Sequence, residues 1–230
     1  MGIQLVLSMS IIAFSVGNAF ATDGARSCNG LPSHAELRGA LQSAISVPTG
    51  DNRGFGNNMW VTVVNRDGFV CAVAFTGGNR GDQWPGSRVI SAQKANTANA
   101  FSLANLALST ANLYGLVQPG KSLYGLQHSN PVDTDVAYKG PSQLYGTAVD
   151  PMVGNKIGGV NVFGGGLALY SGGQVIGAIG VSGDTSCADH NIAWAARKYL
   201  LLNLTPTPDN ISYAAGNHPL CLGGETVPVP

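Results

Sequence analysis

The sequence predicts a mixed α+β fold in which helices cover an antiparallel β-sheet. Two pairs of β-rich apolar runs are each joined by a short turn, at residues 65–68 and 171–174. Helical spacing of apolar residues occurs before, between and after these two hairpins. Strands joined by hairpins pair antiparallel, and their apolar faces need helices to cover them. The predicted order is therefore helix, hairpin, helix, loop, hairpin and helix.

The first helix is predicted to begin at Ser33. Ser33 and Glu36 have the spacing of a capping box, in which each side chain accepts a backbone N–H from the other residue. Val47-Pro48 ends the helical pattern, because proline cannot continue a helix. Between them, apolar residues recur at helical spacing: Leu37, Ala40, Leu41, Ala44 and Ile45.

The first hairpin is predicted to join residues 59–64 to residues 69–75. An Asp-Gly turn between β-rich runs is the strongest short-range hairpin signal, and Asp67-Gly68 provides it. Helical patterns then cover Ser87–Phe101 and Ser102–Gly115. Residues 120–153 follow as a proline-interrupted loop, and loops of this length in a domain are usually functional or mobile.

The closing segment, Gly158–Asp189, holds the most specific pattern of the chain. Its second apolar run ends in Ser182-Gly183-Asp184-Thr185, where Asp184 and Thr185 suit a helix N-cap. A helix is expected to follow over Ala188–Leu201. Three glycines spaced three residues apart suit the close approach of a neighbouring element: Gly177, Gly180 and Gly183.

This segment resembles the signature hairpin and helix of the GlcG/HbpS family of small haem-binding domains. Residues 59–75 and 91–101 are similar to two further segments of that family, and the similar segments together cover most of residues 31–201. The resemblance implies a profilin-like arrangement of layers, with an antiparallel sheet of about five strands covered by helices. It also implies that the chain binds haem.

Composition narrows the class of partner. Lys plus Arg number 12, as do Asp plus Glu, and only 10% of residues are charged. An extensive basic patch is therefore excluded, and nucleic acid is not an expected partner. A surface with so few charges is poorly protected against association, which favours a homo-oligomer. Phosphate-binding, nucleophile-elbow and zinc-protease motifs are absent from the sequence. Catalytic groups can come from distant segments, but the pattern favours a binding protein over an enzyme.

The N-terminus predicts export. Residues 3–20 are mostly apolar, and Asn18-Ala19-Phe20-Ala21 offers a small-residue cleavage site, although no Lys or Arg precedes the apolar run. We therefore expect a signal peptide over residues 1–21, one domain over 22–202 and a C-terminal tail over 203–230. The mature protein would be secreted or periplasmic. No later run is long and apolar enough to span a membrane.

Four cysteines fit an exported protein. An even count in an oxidising compartment predicts two disulfides. We favour Cys28–Cys71 and Cys187–Cys221, because the first helix is expected to pack on the sheet and the tail is long enough to return to the last helix. Cys28–Cys221 is the alternative pairing, and Cys71 as a buried free thiol is a further one.

Haem needs only one or two axial ligands, so its site can lack a motif. The histidines are His34, His128, His190 and His218. In the GlcG/HbpS family a His near the first helix is linked to haem ligation, so the resemblance makes His34 the leading ligand to the iron. Arg38 lies one turn further along the same helical face, where its guanidinium could bind a propionate. The alternative is that Arg38 is a solvated Arg on the surface of an amphipathic helix.

Two further histidines complete the candidate haem site, namely His128 in the long loop and His190. Asp189, which precedes His190, matches an acidic position of the family. It could orient an imidazole or accept backbone N–H groups at the helix start. The alternative function is a binding protein or enzyme accessory for a small metabolite or a corrinoid. A polar pocket away from His34 would favour that alternative, and its expected lining is Ser182, Asp184 and Thr185.

Overall fold

The computed structural model describes residues 27–46, 54–214 and 216–221. The proposed signal peptide lies outside the described residues. The described chain contains five α-helices: α1 (His34–Ser46), α2 (Ser87–Phe101), α3 (Thr110–Leu113), α4 (Thr134–Ala137) and α5 (Ser186–Tyr199). Its four strands are β1 (Trp60–Asn65), β2 (Val70–Phe75), β3 (Gly166–Ser171) and β4 (Gln174–Ser182). The predicted mixed α+β class is confirmed, as are both hairpins.

The four strands form one antiparallel sheet in the order β2-β1-β4-β3. The expected count of about five strands is therefore one too high for the described residues. Irregular chain occupies both outer edges instead. Val70 exchanges two backbone hydrogen bonds with Gly154 and Asn155 beside β2, and Tyr170 donates its N–H to Leu202 beside β3. These short contacts satisfy part of each edge without forming a fifth strand.

Helices cover both faces of the sheet. One face packs against α1 and α5, with Leu37, Leu41 and Ile192 in that core. The other face packs against α2, whose small residues Ala92 and Ala95 allow close approach. Helices on both sides of one sheet give the three-layer arrangement that the family resemblance implies.

Gly180 confirms the prediction of close approach in β4. A Cβ atom at this position would overlap the carbonyl oxygen of Ser91 and lie 2.5 Å from the backbone nitrogen of Ala95. Any side chain there would push α2 away from the sheet. The glycine therefore sets the distance between β4 and α2.

The predicted helix over 102–115 is wrong for most of its length. Ser102 has an extended backbone and ends α2, and within the predicted range only the four residues of α3 are α-helical. The Ser102 hydroxyl accepts the N–H of Leu108 at 3.1 Å, and Leu103 and Leu106 close a tight turn through two backbone hydrogen bonds. Serine side chains compete in this way with helical hydrogen bonding.

The sequence signals for the starts of α1 and α5 are confirmed. Glu36 accepts the Ser33 N–H at 2.8 Å, which confirms half of the capping box, and the return bond to Ser33 Oγ is 3.4 Å long. Thr185 caps α5 by accepting the N–H of Ala188. The last helix therefore begins at Ser186, two residues before the predicted start.

The C-terminal tail is fixed to the domain by covalent and ionic bonds. The favoured disulfides Cys28–Cys71 and Cys187–Cys221 both form. Arg197 of α5 binds Asp209 through two hydrogen bonds of 2.6 and 2.8 Å, and both side chains are buried. The described part of the tail thus packs as part of the domain. No helix in the described residues is long and apolar enough to cross a membrane.

Candidate functional site

A cavity of about 590 Å³ lies where the start of α1 meets the chain that follows β2 and the segment 142–148. We call it the α1 pocket. Its lining includes the predicted residues His34 and Arg38, which the helix places one turn apart. The structure therefore brings together the two residues that were predicted to hold an iron and a propionate.

The His34 ring is held by the opposite wall of the α1 pocket. Its Nε2 lies 2.9 Å from the carbonyl oxygen of Gly146. A carbonyl oxygen can only accept, so Nε2 carries a proton in this contact. Arg38 donates its Nε–H to the carbonyl oxygen of Phe75 at 3.3 Å. This bond leaves both terminal nitrogens of Arg38 without a partner among the described residues.

A second guanidinium, which the sequence did not predict, lines the pocket. Arg80 lies in the turn after β2, on the same cavity as Arg38. Asp82 shapes this turn by accepting the N–H groups of Gly78 and Asn79 at 2.9 and 2.8 Å. The only sequence signal was the glycine- and asparagine-rich loop that follows a strand end.

Asp150 anchors the far wall of the pocket. Its carboxylate accepts the N–H of Gly146 at 2.7 Å and the N–H of Met152 at 2.9 Å. It also forms a two-point ion pair with Arg88 of α2, and both side chains are almost fully buried. The guanidinium of Arg88 stacks on the Tyr145 ring, 3.6 Å from its centroid. The wall is therefore tied to the core rather than to solvent-exposed chain.

Gly146 cannot be replaced without moving this wall. Its φ is +77°, a left-handed conformation that favours glycine. A Cβ atom there would lie 2.8 Å from Cβ of Phe75 and 2.9 Å from Cζ3 of Trp60. Those two rings stack at a centroid distance of 4.1 Å. Close packing against the stacked rings thus places the Gly146 carbonyl next to His34.

The structure does not bring His128 or His190 to the α1 pocket. His128 is exposed in the long loop. His190 is fully buried in α5, and neither ring nitrogen has a hydrogen-bond partner among the described residues. Burial lowers the pKa of His190 to about 3, with smaller contributions from the charges of Arg197, His218 and Lys94. The imidazole is therefore neutral at physiological pH.

Asp189 binds a lysine rather than an imidazole. Its carboxylate accepts from Nζ of Lys94 at 2.6 Å and from the backbone N–H of Asp184 at 2.9 Å. Lys94 also donates to the carbonyl oxygen of Val181. Burial raises the pKa of Asp189 to about 6 and lowers the pKa of Lys94, while their mutual attraction opposes both shifts. This pair connects α2 to α5 inside the core.

Two of the three residues expected to line an alternative polar pocket bind other parts of the chain, and the third is buried. Asp184 accepts the N–H groups of Phe55 and Asn57. Thr185 caps α5, and Ser182 is buried at the end of β4. The polar side chains of Asp184 and Thr185 are therefore already engaged in hydrogen bonds within the chain. No cluster of three or more metal-binding side chains occurs in the described residues.

Three similar solved structures have TM-scores below 0.5, so their folds carry no functional argument. A Klebsiella pneumoniae protein called ORFY is 25% identical at a TM-score of 0.48, over 74% of this chain and 90% of that one. A PduOC:heme complex is 23% identical at 0.49, over 72% and 89%. An HbpS double mutant from Streptomyces reticuli is 18% identical at 0.44, over 84% and 97%.

No curated protein sequence matches the chain significantly. A family model does, and its description is "Haem degrading protein HbpS-like". The match covers residues 43–198, which is more than half of the chain and includes the whole sheet, α2 and most of α5. The predicted family resemblance is thereby confirmed, and the chain belongs to the HbpS-like family.

Proposed function

We propose that this protein is an exported haem-binding protein and that the α1 pocket takes the haem. Membership of a haem-related family supports the ligand class. The single observation that carries the choice of site is the convergence of His34, Arg38 and Arg80 on one cavity. An imidazole is the commonest protein ligand of haem iron, and guanidinium groups pair well with carboxylates such as the propionates.

The pocket has the size and chemistry for such a ligand. Its volume of about 590 Å³ falls in the range of roughly 300–1,000 Å³ for small-molecule sites. The rings of Phe75 and Tyr145 contribute to the lining and offer apolar contact. Haem would supply the iron centre, and the chain would supply the axial nitrogen and the charge partners.

His34 must change its hydrogen bonding if Nε2 is to bind the iron. A ligating nitrogen cannot carry a proton, and Nε2 donates to Gly146 in this structure. Ligation through Nε2 would transfer the proton to Nδ1 and release the Gly146 carbonyl. Ligation through Nδ1 would leave that bond in place. In either case the wall formed by residues 142–148 controls how His34 is presented.

Titration of the mature protein with haemin tests the proposal. The parent should show a shifted Soret band, and His34→Ala should reduce the shift and the affinity. His128→Ala is the matched control, because this exposed His lies outside the pocket. Arg38→Gln should weaken binding with less change in the band position. An unshifted band in the parent would refute haem binding, and loss of the shift in the His128 variant alone would move the ligand to the long loop.

Export and assembly are parts of the same proposal. The apolar N-terminal run and its small-residue site support cleavage after Ala21. The intact mass of the exported chain should then correspond to a protein that starts at Thr22. The sparse surface charge supports a homo-oligomer, which sedimentation would detect. A retained N-terminus or a monomer at all concentrations would contradict the respective part.

A further inference from the structure

A serine and a histidine form a hydrogen-bonded pair at the start of α5, on residues that the α1 pocket does not use. Oγ of Ser186 lies 2.7 Å from Nε2 of His218. Nδ1 of His218 lies 2.7 Å from the carbonyl oxygen of Pro219. Because that oxygen can only accept, Nδ1 carries the proton and Nε2 offers its lone pair to the Ser186 hydroxyl. A hydroxyl facing a fixed imidazole base is the arrangement of nucleophilic catalysis.

Two hydrogen bonds, one to Gly164 and one to His218, orient the Ser186 hydroxyl. The backbone N–H of Gly164 donates to Ser186 Oγ at 2.7 Å. This hydrogen bond occupies one lone pair of Ser186 Oγ and directs the hydroxyl proton of Ser186 toward His218. Burial lowers the pKa of His218, so the ring is available as the unprotonated base at neutral pH. The hydrogen bond to Pro219 opposes this shift but does not reverse it.

Two backbone N–H groups beside the serine are available for a developing negative charge. Ser186 and Cys187 are the first two residues of α5, a helix of 14 residues. N–H groups in the first turn have no acceptor within their own helix. No other described residue accepts from these two. Adjacent N–H groups next to a nucleophile are the donors of an oxyanion hole, and the helix dipole adds to their effect.

Covalent structure holds the base against the nucleophile. The disulfide Cys187–Cys221 joins the residue after Ser186 to the segment of the tail that contains His218. The rings of Tyr114 and Tyr213 flank the imidazole at centroid distances of 5.6 and 6.4 Å. The base therefore keeps its position although the tail has no regular secondary structure.

The surroundings of the pair favour an uncharged substrate. Ser186 is half-buried, and His218 is 7% exposed. Tyr213, whose ring centroid lies 6.4 Å from that of His218, is 37% exposed, and the nearby chain residues Phe163 and Leu220 are 47% and 68% exposed. Phe163 precedes the Gly164 donor, and Leu220 follows Pro219. Such a rim suits a short aliphatic acyl group.

We propose that Ser186 is a nucleophile, with His218 as its general base, in the hydrolysis of uncharged carboxylic esters. Nε2 of His218 takes the Ser186 proton while Oγ forms a bond to the acyl carbon. The ester C–O bond breaks, and His218 returns the proton to the departing alcohol. Water then attacks the acyl-serine with the same base, which releases the acid and restores the hydroxyl. This activity is independent of haem binding.

A fluorophosphonate probe tests the nucleophile directly. The probe should label the parent protein, and peptide mapping should locate the phosphonate on Ser186. Mapping needs no variant, so a folding defect cannot obscure its result. An unlabelled parent, or a label on another residue, would overturn the proposal.

Hydrolysis of p-nitrophenyl butyrate tests the base. Ser186→Ala and His218→Gln should each lower the rate by about 100-fold or more, the usual range for removing a nucleophile or a general base. Ser43→Ala is the matched control, because Ser43 is half-buried on α1 and has no histidine partner in the described structure. Equal rates in all four proteins would refute the assignment. Haemin titration of the Ser186 variant should match the parent, which separates this activity from haem binding.

Discussion

The carbonyl oxygen of Gly146 lies 2.9 Å from Nε2 of His34, although 112 residues separate them in the chain. The N–H of Gly146 is in turn bound by Asp150, and Asp150 is bound by Arg88 of α2. The candidate haem ligand is therefore connected to the helix on the opposite face of the sheet. Changes in that buried connection should alter the α1 pocket without touching its ligand.

Gly146→Ala should destabilise the protein and weaken haemin binding. The new Cβ would overlap the Phe75 and Trp60 side chains, and the left-handed backbone would be strained. Gly154→Ala is the matched control, since its φ is +79° and a Cβ there meets nothing within 4 Å. Both variants carry the left-handed penalty of about 1–2 kcal/mol. Overlap should cost Gly146→Ala a further 1–3 kcal/mol, about the usual price of overpacking. Denaturant unfolding and haemin titration measure both effects. Equal losses of stability and of haemin affinity in the two variants would show that residues 142–148 can move to make room for the new Cβ.

Asp150→Asn should be strongly destabilising. It leaves the buried guanidinium of Arg88 without its counter-charge, and breaking a buried pair typically costs about 3–5 kcal/mol. The expected loss is visible as a lower denaturation midpoint with an unchanged slope. Asp135→Asn provides the control, because that carboxylate is exposed and its loss should cost no more than about 0.5 kcal/mol. Similar midpoints for the two variants would show that Asp150 does not anchor the wall.

Gly180→Ala and Gly39→Ala should change stability in opposite directions. A Cβ at Gly180 overlaps Ser91 of α2, and we expect a loss of about 1–3 kcal/mol from the displaced helix. A Cβ at Gly39 meets nothing within 4 Å, and alanine is the better helix former by about 1 kcal/mol. Thermal unfolding measures both. A Gly180 variant as stable as the parent would contradict the close packing of β4 on α2.

Removing either disulfide should cost a similar free energy but change different parts of the molecule. The two bridges span 43 and 34 residues, and the loop-entropy relation gives about 4 kcal/mol for each. Only the pair Cys187→Ala and Cys221→Ala frees the tail near His218. Limited proteolysis should therefore cut the tail in that variant and spare it when Cys28 and Cys71 are replaced. Four free thiols in non-reducing peptide mapping of the parent would refute both bridges.

Short-range chemistry made most of the fold predictable. The Ser33–Glu36 spacing placed the start of α1, and the Asp67-Gly68 turn placed the first hairpin. The exceptions depended on competing local bonds or on the sheet edges. The Ser102 side chain ended a pattern that periodicity alone extended, and irregular chain took the place of an expected fifth strand.

The candidate site was predictable only where its residues share a helix. His34 and Arg38 lie one turn apart, so their proximity follows from helical geometry. Arg80 and Gly146 reach the same cavity from distant loops, and no local spacing in the sequence predicts that they meet there. The Ser186–His218 pair likewise forms between a helix and an irregular tail, which a disulfide brings back to the domain.

His190 should make the protein sensitive to acid. Its pKa is lowered from 6.5 to about 3, mainly by burial, so the unfolded chain binds the proton first as the pH falls. The stability contributed by the neutral ring is fully present above about pH 6.5. It is lost as the pH falls toward 3, by up to about 1.4 kcal/mol per pH unit. Asp189 acts in the opposite direction, because its raised pKa adds stability as the pH falls from about 6 to 3.8.

The difference between the parent and the His190→Leu variant isolates the contribution of His190. His190→Leu removes the titrating ring and keeps an apolar side chain in the core, while Asp189 and the partly buried His218 remain in both proteins. The free energy of unfolding of the parent should therefore fall relative to this variant between pH 6.5 and 3. His128→Leu, at an exposed position, is the control for replacing a histidine by leucine. Parallel profiles for parent and His190→Leu would show that the buried ring is protonated in the folded state, and its low pKa would then be wrong.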